Sequence, residues 1–312
     1  MNKLATLTHS PAGRFSFGTM QFGGAADALA SESMYETCRA AGITHFDTAH
    51  MYTDGASETL LGQFVAPERE NVFVATKVGF TGGASAANMR AQFDTCRQRL
   101  GMDEVDALYL HRFDPDTDLR ETMECFAALK AEGLIRYVGL SNFAAWQVMK
   151  AVRLAAEFDL QVDLLQPMYS LVTRQAEVEI LPMCADQGIT AVTYSPLGAG
   201  LLTGKYTRGP ADGRLTEDQR YKARYAPGHM ARAAEGLAAL AEELGTHPAT
   251  LAVAWVAAHP TAPVPILSGR SAEQLTPSLA AMGHPMPPEL YARIAALSPT
   301  PPPATDRIEE QA

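Results

Sequence analysis

The stretch VFVATKVGFTGGASAANMRAQFDTCRQRLGMDEVDALYLH, residues 72–111, decides the fold. Residues 72–78 form a short apolar run of strand length. Met89, Phe93, Cys96 and Leu100 then recur at spacings of four, three and four, one face of a helix, and Gly101 follows as its stop. Residues 107–111, ALYLH, return to a strand-like run. A strand, a helix and a second strand in this length require parallel pairing and a right-handed crossover.

The same alternation continues on both sides. FSFGTM (15–20), THFDTA (44–49), YVGLSN (137–142), LLQPMY (164–169), TAVTYS (190–195) and VPILS (264–268) read as strands. Leu119, Met123, Phe126 and Leu129 carry helix period before Gly133. The segment 33–41 opens with Ser33 and Glu36, a capping-box pair, and ends at Gly42. Helical patterns also cover 144–158, 174–187, 231–245, 248–258 and 271–282. Eight strands separated by helices close into a (β/α)8 TIM barrel or stay open as a doubly wound sheet, and the count favours the barrel. No linker divides the chain, so a single barrel domain is expected over residues 1–298. Residues 203–229 are a polar insertion of the length used for lids, binding loops or disordered segments. Residues 299–312 are Pro-rich and polar, and a frayed tail is expected there.

The composition, 47% hydrophobic in 312 residues, is that of a globular protein with a large core. A net charge of -10 excludes a general nucleic-acid or anionic-membrane surface, while leaving room for a local basic site that takes a small phosphate. Cys38, Cys96, Cys125 and Cys184 are widely spaced and form no CxxC pair, so they read as buried small hydrophobes in a reducing compartment. No signal-like or membrane-spanning run is seen, and a soluble cytoplasmic protein is expected.

In such a barrel, polar residues at the C-terminal ends of the strands converge on one mouth. Asp47 ends the second strand with Tyr52 just beyond it, Lys77 ends the third and His111 ends the fourth. Each alone is unremarkable: a strand-end lysine is usually solvated, and a lone histidine is usually a hydrogen-bonded core residue. Together they form a chemical set. A free phenol, with a pKa of about 10, exchanges protons poorly near neutrality, and an ammonium beside it favours the phenolate and lowers that pKa. Lys77 is the candidate cation, Asp47 its counter-ion, and His111 a hydrogen-bond donor to a substrate oxygen. The set describes a proton donor aimed at a carbonyl.

With these motifs placed, the sequence resembles the aldo-keto reductase superfamily. The resemblance runs from FGTMQFGG (17–24) through GITHFDTAHMY, VFVATKVG, LYLHRFDP, YVGLSNF, LLQPMYS and YSPLGAGLLTGKY to PILSGRSAEQL (265–275). It implies the barrel fold, the tetrad Asp47, Tyr52, Lys77 and His111, and an NADPH-dependent reduction of an aldehyde or ketone, reversible in principle, with Tyr52 as the acid. It further implies that Gly18, Thr19, Met20 and Asp47 border the nicotinamide ribose, that Ser141, Asn142 and Gln166 hold the carboxamide, and that Tyr194 stacks on the ring. Ser195, Leu197, Gly200 and Lys205 fall on the pyrophosphate loop. Ser268, Arg270, Gln274 and Ser278 fall at the adenosine end.

The residues agree with this assignment. A glycine-rich GAGLLTG lets backbone approach phosphate, and Lys205 adds a cation. Arg270 precedes a helix start, where a guanidinium suits a 2′-phosphate. A Rossmann reading of the same glycines fails on their spacing. Phe22, Met51, Tyr52, His111 and Phe143 are the expected substrate contacts, and no metal is expected. The sequence departs from the family pattern at Thr53, where glycine is usual, and at Ser278, where asparagine is common and Pro277 precedes it.

Three rival readings exist. A metal-dependent hydrolase could draw on His45, Asp47, His50 and His111, yet leaves Lys77 without a task. A Schiff-base aldolase could use Lys77, yet leaves Arg270 and GAGLLTGKY without one. A regulatory, channel-subunit-like protein with a cofactor site but little turnover is the third, because some members of the superfamily are of that kind.

Overall fold

The computed structural model describes residues 4–207, 209 and 211–311. Arg208 and Pro210 of the insertion, and residues 1–3 and 312 at the termini, lie outside the described residues. Eight strands, β1 (Ser16–Gly18), β2 (His45–Asp47), β3 (Phe73–Val78), β4 (Val105–Leu110), β5 (Ile135–Ser141), β6 (Leu164–Gln166), β7 (Thr190–Thr193) and β8 (Val264–Leu267), pair in sequence order. All pairs are parallel, and β8 pairs with β1 to close the barrel. The fold is a (β/α)8 barrel.

The residues explain the pattern. Every residue of β3 and β4 is buried, as expected for strands packed on both faces. Phe73, Ala75, Ala107, Tyr109, Leu164 and Val192 fill the interior, and a larger apolar shell lies under the helices. The helix Ala86–Leu100 buries Met89, Phe93, Cys96 and Leu100, the residues whose spacing marks it in the sequence. Ser85 caps its start, and Gly101 ends it at φ 64°, a left-handed conformation that glycine adopts without a Cβ clash. Asp118 likewise caps the helix Leu119–Ala131. All four cysteines are free and buried.

Three details differ from expectation. The first helix starts at Ala28, capped by Asp27 rather than Ser33. Its opening turn is missed because it packs little: Leu29 is 78% exposed. A helix at Ala56–Val65 and another at Pro288–Ala295 lie outside the periodic segments read from sequence. The insertion contains two short helices, Arg214–Glu217 and Gln219–Arg224. Leu4 reaches the interior cluster at the barrel floor, where Arg136 donates to the carbonyl of Ala5 at 2.9 Å. No helix among the described residues is long and apolar enough to cross a membrane.

Candidate active site

Strand register brings the polar strand ends together. Asp47 sits opposite Ala75, Lys77 opposite Tyr109, and Ser141 opposite Gln166. Lys77 is fully buried, and its ammonium forms an ion pair with Asp47 Oδ1. It also donates to the carbonyl of Thr48 at 2.8 Å. The second Asp47 oxygen accepts from Gln166 Nε2 at 2.8 Å. Two buried charges thus neutralise each other, and each has a further hydrogen bond, the condition under which such a pair persists away from water. The Lys77 nitrogen lies 5.2 Å from the centroid of the Tyr52 ring. His111 meets that ring edge-on at 5.9 Å.

Burial works against the Lys77 ammonium, yet Asp47 and then Tyr52 outweigh it and hold its pKa above the ordinary value. Burial raises the Asp47 carboxyl, with Lys77 and Gln166 pulling the other way. At Tyr52 burial is again the largest effect and raises the phenol, while Lys77 opposes it. The lowering expected from sequence is therefore a restraint on an upward shift rather than the net direction. His111 is pushed down to about 3 by burial, then by Lys77 and Arg112. It is a neutral ring, and its Nδ1 is buried without a hydrogen-bond partner. The arrangement is a protonated phenol with a cation behind it and a neutral imidazole beside it, the phenol and the imidazole opening on one cavity.

That cavity measures about 1160 Å³. Of the residues expected from sequence, its wall includes Gly18, Met20, Asp47, Met51, Tyr52, His111, Ser141, Asn142, Gln166, Tyr194, Ser195, Leu197, Gly200, Lys205, Ser268, Arg270, Gln274 and Ser278. Lys77 lies behind this wall. Thr19, Phe22 and Phe143 are not part of it. Thr19 is fully buried and bonds to Ser57 Oγ and the Asp47 carbonyl. Phe22 packs between Phe17 and Phe64, and Phe143 is only 2% exposed, against Phe113. Both aromatics have moved from the rim into the apolar shell, where burial of a phenyl ring is worth about 1.5–3 kcal/mol.

The amide cluster is tightly wired. Ser141 Oγ donates to the Gln166 carbonyl at 3.1 Å, and Asn142 Nδ2 donates to Ser141 Oγ and the His111 carbonyl, each at 3.0 Å. Tyr194 Oη donates to Asn142 Oδ1 at 2.7 Å. Asn142 (φ 58°), Ser195 (φ 61°) and Ala199 (φ 56°) all hold left-handed backbone without being glycine. Such strain collects where a binding site over-determines the chain. Thr53 is also left-handed at φ 46°. Its hydroxyl donates to the Phe22 carbonyl at 2.8 Å and accepts from Ser57 N at 3.0 Å, which offsets the conformational cost of a non-glycine residue there.

Sequence reasoning missed Phe80, Arg112, Arg214, Tyr221 and Arg224, all on the cavity wall. Arg112 was the most accessible signal, since it directly follows His111 at a strand end. Tyr221 lies between Arg214 and Arg224, with guanidinium-to-ring distances of 5.6 and 5.5 Å. At the far end, Arg270 Nη2 pairs with Glu217 of the insertion at 3.1 Å. Lys205 Nζ donates to the carbonyl of Asp212 at 2.8 Å.

The sequence pattern described as "Aldo/keto reductase family" matches residues 14–299. The chain belongs to the aldo/keto reductase family. Among its relatives, an "Uncharacterized oxidoreductase YrpG" of Bacillus subtilis (strain 168) is 32% identical, over 92% of this chain and 93% of that protein. A "Probable voltage-gated potassium channel subunit beta" of Arabidopsis thaliana is 34% identical, over 78% of this chain and 80% of that protein. "Aflatoxin B1 aldehyde reductase member 2" of Homo sapiens is 37% identical, over 63% of this chain and 56% of that protein. Membership and the oxidoreductase relatives together support a carbonyl-reducing oxidoreductase of the class that uses NAD(P)H.

Proposed function

We propose that this aldo/keto reductase is an NADPH-dependent enzyme that reduces an aldehyde or ketone to its alcohol, reversibly, with Tyr52 as the proton donor. The observation that carries the reading is the buried Lys77, ion-paired to Asp47 and 5.2 Å from the Tyr52 ring, with His111 at the edge of the same ring.

The cavity wall fits a phosphorylated dinucleotide. Ser268 Oγ is buried there with no protein partner, a donor kept for something else. Gly200, at φ 93°, lies beside Lys205, so backbone and a cation meet at one place. Ser141 and Gln166 supply a donor and acceptor set for an amide. Asn142 has committed both of its amide protons, so its contribution is the remaining acceptor capacity of Oδ1. Tyr194 offers a ring face, Ser195, Leu197, Gly200 and Lys205 would hold the pyrophosphate, and Ser268, Arg270, Gln274 and Ser278 the adenosine 2′-phosphate end. Bound there, NADPH supplies the hydride.

The chain's own part is proton chemistry. Tyr52, kept protonated by burial, hydrogen-bonds the carbonyl oxygen and gives up its proton as negative charge develops on that oxygen. Lys77 stabilises the tyrosinate left behind, and Asp47 keeps Lys77 charged and in place. Neutral His111 retains one N–H to orient the same oxygen. An ammonium whose pKa is held up is a poor nucleophile, which favours this reading over an aldolase. The hydrolase reading lacks a ligand set, because among the described residues no three His, Cys, Asp or Glu side chains gather as a metal site. Tyr52→Phe is expected to bind NADPH normally, by fluorescence titration, and to lose at least 100-fold in kcat, in line with about 10²–10⁴ for general acid catalysis. Unchanged kcat would refute the acid assignment.

The names of the channel-subunit relatives favour a second reading, a cofactor-binding partner protein with little turnover. The two readings separate in a single-turnover experiment. Rapid chemistry followed by sustained cycling supports the enzyme, and one turnover followed by retention of oxidised cofactor supports the partner.

A further inference from the structure

The reductase reading leaves one charged residue of the mouth without a task. Arg112 follows His111 at the end of β4, and among the described residues no carboxylate lies within ion-pair distance of it. Asp114, two residues on, feels the Arg112 charge at longer range, but its oxygens are taken by nearer donors: it accepts from Ala84 N at 2.8 Å, Thr117 Oγ1 at 2.7 Å and Asp116 N at 3.1 Å. The Arg112 guanidinium instead lies 4.8 Å from the centroid of the Phe80 ring. Phe80 in turn meets His111 at 5.0 Å, and His111 meets Tyr52 at 5.9 Å. All four side chains line the same cavity. Phe80 is thus a spacer that holds a cation, through its ring face, one aromatic step from the imidazole that would orient the substrate oxygen.

Charge supports a recognition role. The protein carries a net charge of -10, which repels a free anion, yet this cavity wall holds Arg112 together with Lys205, Arg214, Arg220, Arg224 and Arg270. Of these, Lys205 and Arg270 are the ones assigned above to the phosphates of a dinucleotide, Arg220 pairs with Asp218 at 2.8 Å, and Arg214 and Arg224 flank the Tyr221 ring. Arg112 is the one contributed by the strand end that carries His111.

Resting on the reductase reading, we propose that Arg112 determines substrate specificity and that the substrate is an aldehyde or ketone bearing a carboxylate a few carbons from its carbonyl. The carboxylate pairs with the Arg112 guanidinium, for which a planar fork-to-fork contact is available, while the carbonyl oxygen meets Tyr52 and His111. One guanidinium balances one negative charge, which matches a carboxylate better than a phosphate ester. This is recognition alone: the carboxylate takes no part in bond making.

The test compares 4-carboxybenzaldehyde with its uncharged ester, methyl 4-formylbenzoate, under saturating NADPH. The full-length enzyme is expected to give a higher kcat/KM for the acid. In Arg112→Met the acid-to-ester ratio falls at least tenfold, mainly through KM of the acid, and Arg112→Lys retains part of the preference. Salt at about 0.5 M, which screens an exposed pair, moves the unmodified enzyme's ratio the same way. A role of Arg112 confined to holding Phe80 would change both aldehydes alike and overturn the proposal, as would an acid-to-ester ratio near one in the unmodified enzyme. Turnover of neither aldehyde would instead bring down the reductase reading on which the proposal rests.

Discussion

Tyr52 and His111 are governed by the same force with opposite consequences. Burial raises the phenol and lowers the imidazole, so both groups stay in their neutral forms through the physiological range. A neutral phenol is the form that donates a proton, and a neutral imidazole can still donate one N–H. For reduction, kcat/KM is therefore expected to show no inflection near pH 6.5, the ordinary histidine value. Alcohol oxidation needs the phenolate, whose fraction grows tenfold per pH unit below the pKa, and its rate is expected to climb with pH through about 9. Initial rates in both directions across pH 5.5–9.5 check this. A sigmoid centred near pH 6.5 in the reduction direction would mean that His111 titrates and that its neutral role is wrong.

The insertion brings an acidic group to the residue argued to read the 2′-phosphate. Glu217 pairs with Arg270 at 3.1 Å, and both are partly exposed, so the pair is worth about 0–1 kcal/mol. A 2′-phosphate taken up by Arg270, as proposed, would have to exchange with that carboxylate. Arg270→Ala is expected to weaken NADPH ten- to a hundredfold, the scale of a lost charge-assisted bond of about 1.5–3 kcal/mol, with little change for NADH. Glu217→Gln should tighten NADPH by two- to fivefold and leave NADH alone. Fluorescence titrations of both cofactors measure this, and equal shifts for the two would remove the 2′-phosphate argument. The insertion is also where sequence reasoning lost resolution. Tyr221 and Arg224 have no period to betray them, because their place on the cavity wall depends on how a loop folds back. The strands and most helices were readable because burial imposes a fixed repeat on them, and the polar strand ends Asp47, Lys77 and His111 were readable because the barrel gives each such position one destination. Phe22 and Phe143 follow the same strand ends, but an apolar ring can turn into the packed shell, and nothing in its identity says which way it points.

At the scale of the whole molecule, the barrel interior contains a buried group that catalysis does not employ. His45 is fully buried against Phe73, at 4.7 Å between rings, and neither ring nitrogen has a hydrogen-bond partner. Burial, then Lys77, pushes its pKa down to about 3. The unfolded chain takes up this proton near pH 6.5 and the folded chain does not. The stability is therefore fully present above pH 6.5 and lost as the pH falls, by about 1.4 kcal/mol per unit for one such ring. His111 adds to the same slope, and the raised Asp47 works against it. His45→Leu, which removes one titrating ring and no hydrogen bond, is expected to flatten the acid side of the stability curve by about one proton. Urea midpoints at pH 4.5 and 7 measure it, and an unchanged difference between them would show that His45 is not held neutral.

The sequestered thiols have a practical consequence. Burial lifts the sulfhydryls of Cys38 and Cys184 to about 12, and Cys96 and Cys125 also sit above their ordinary value, so none is a ready nucleophile at neutral pH. A single cysteine engineered at exposed Gln219 would then be the one that maleimide dyes modify. The protein supplies its own silent background for placing a reporter on the insertion, whose Arg220 and Tyr221 line the cavity.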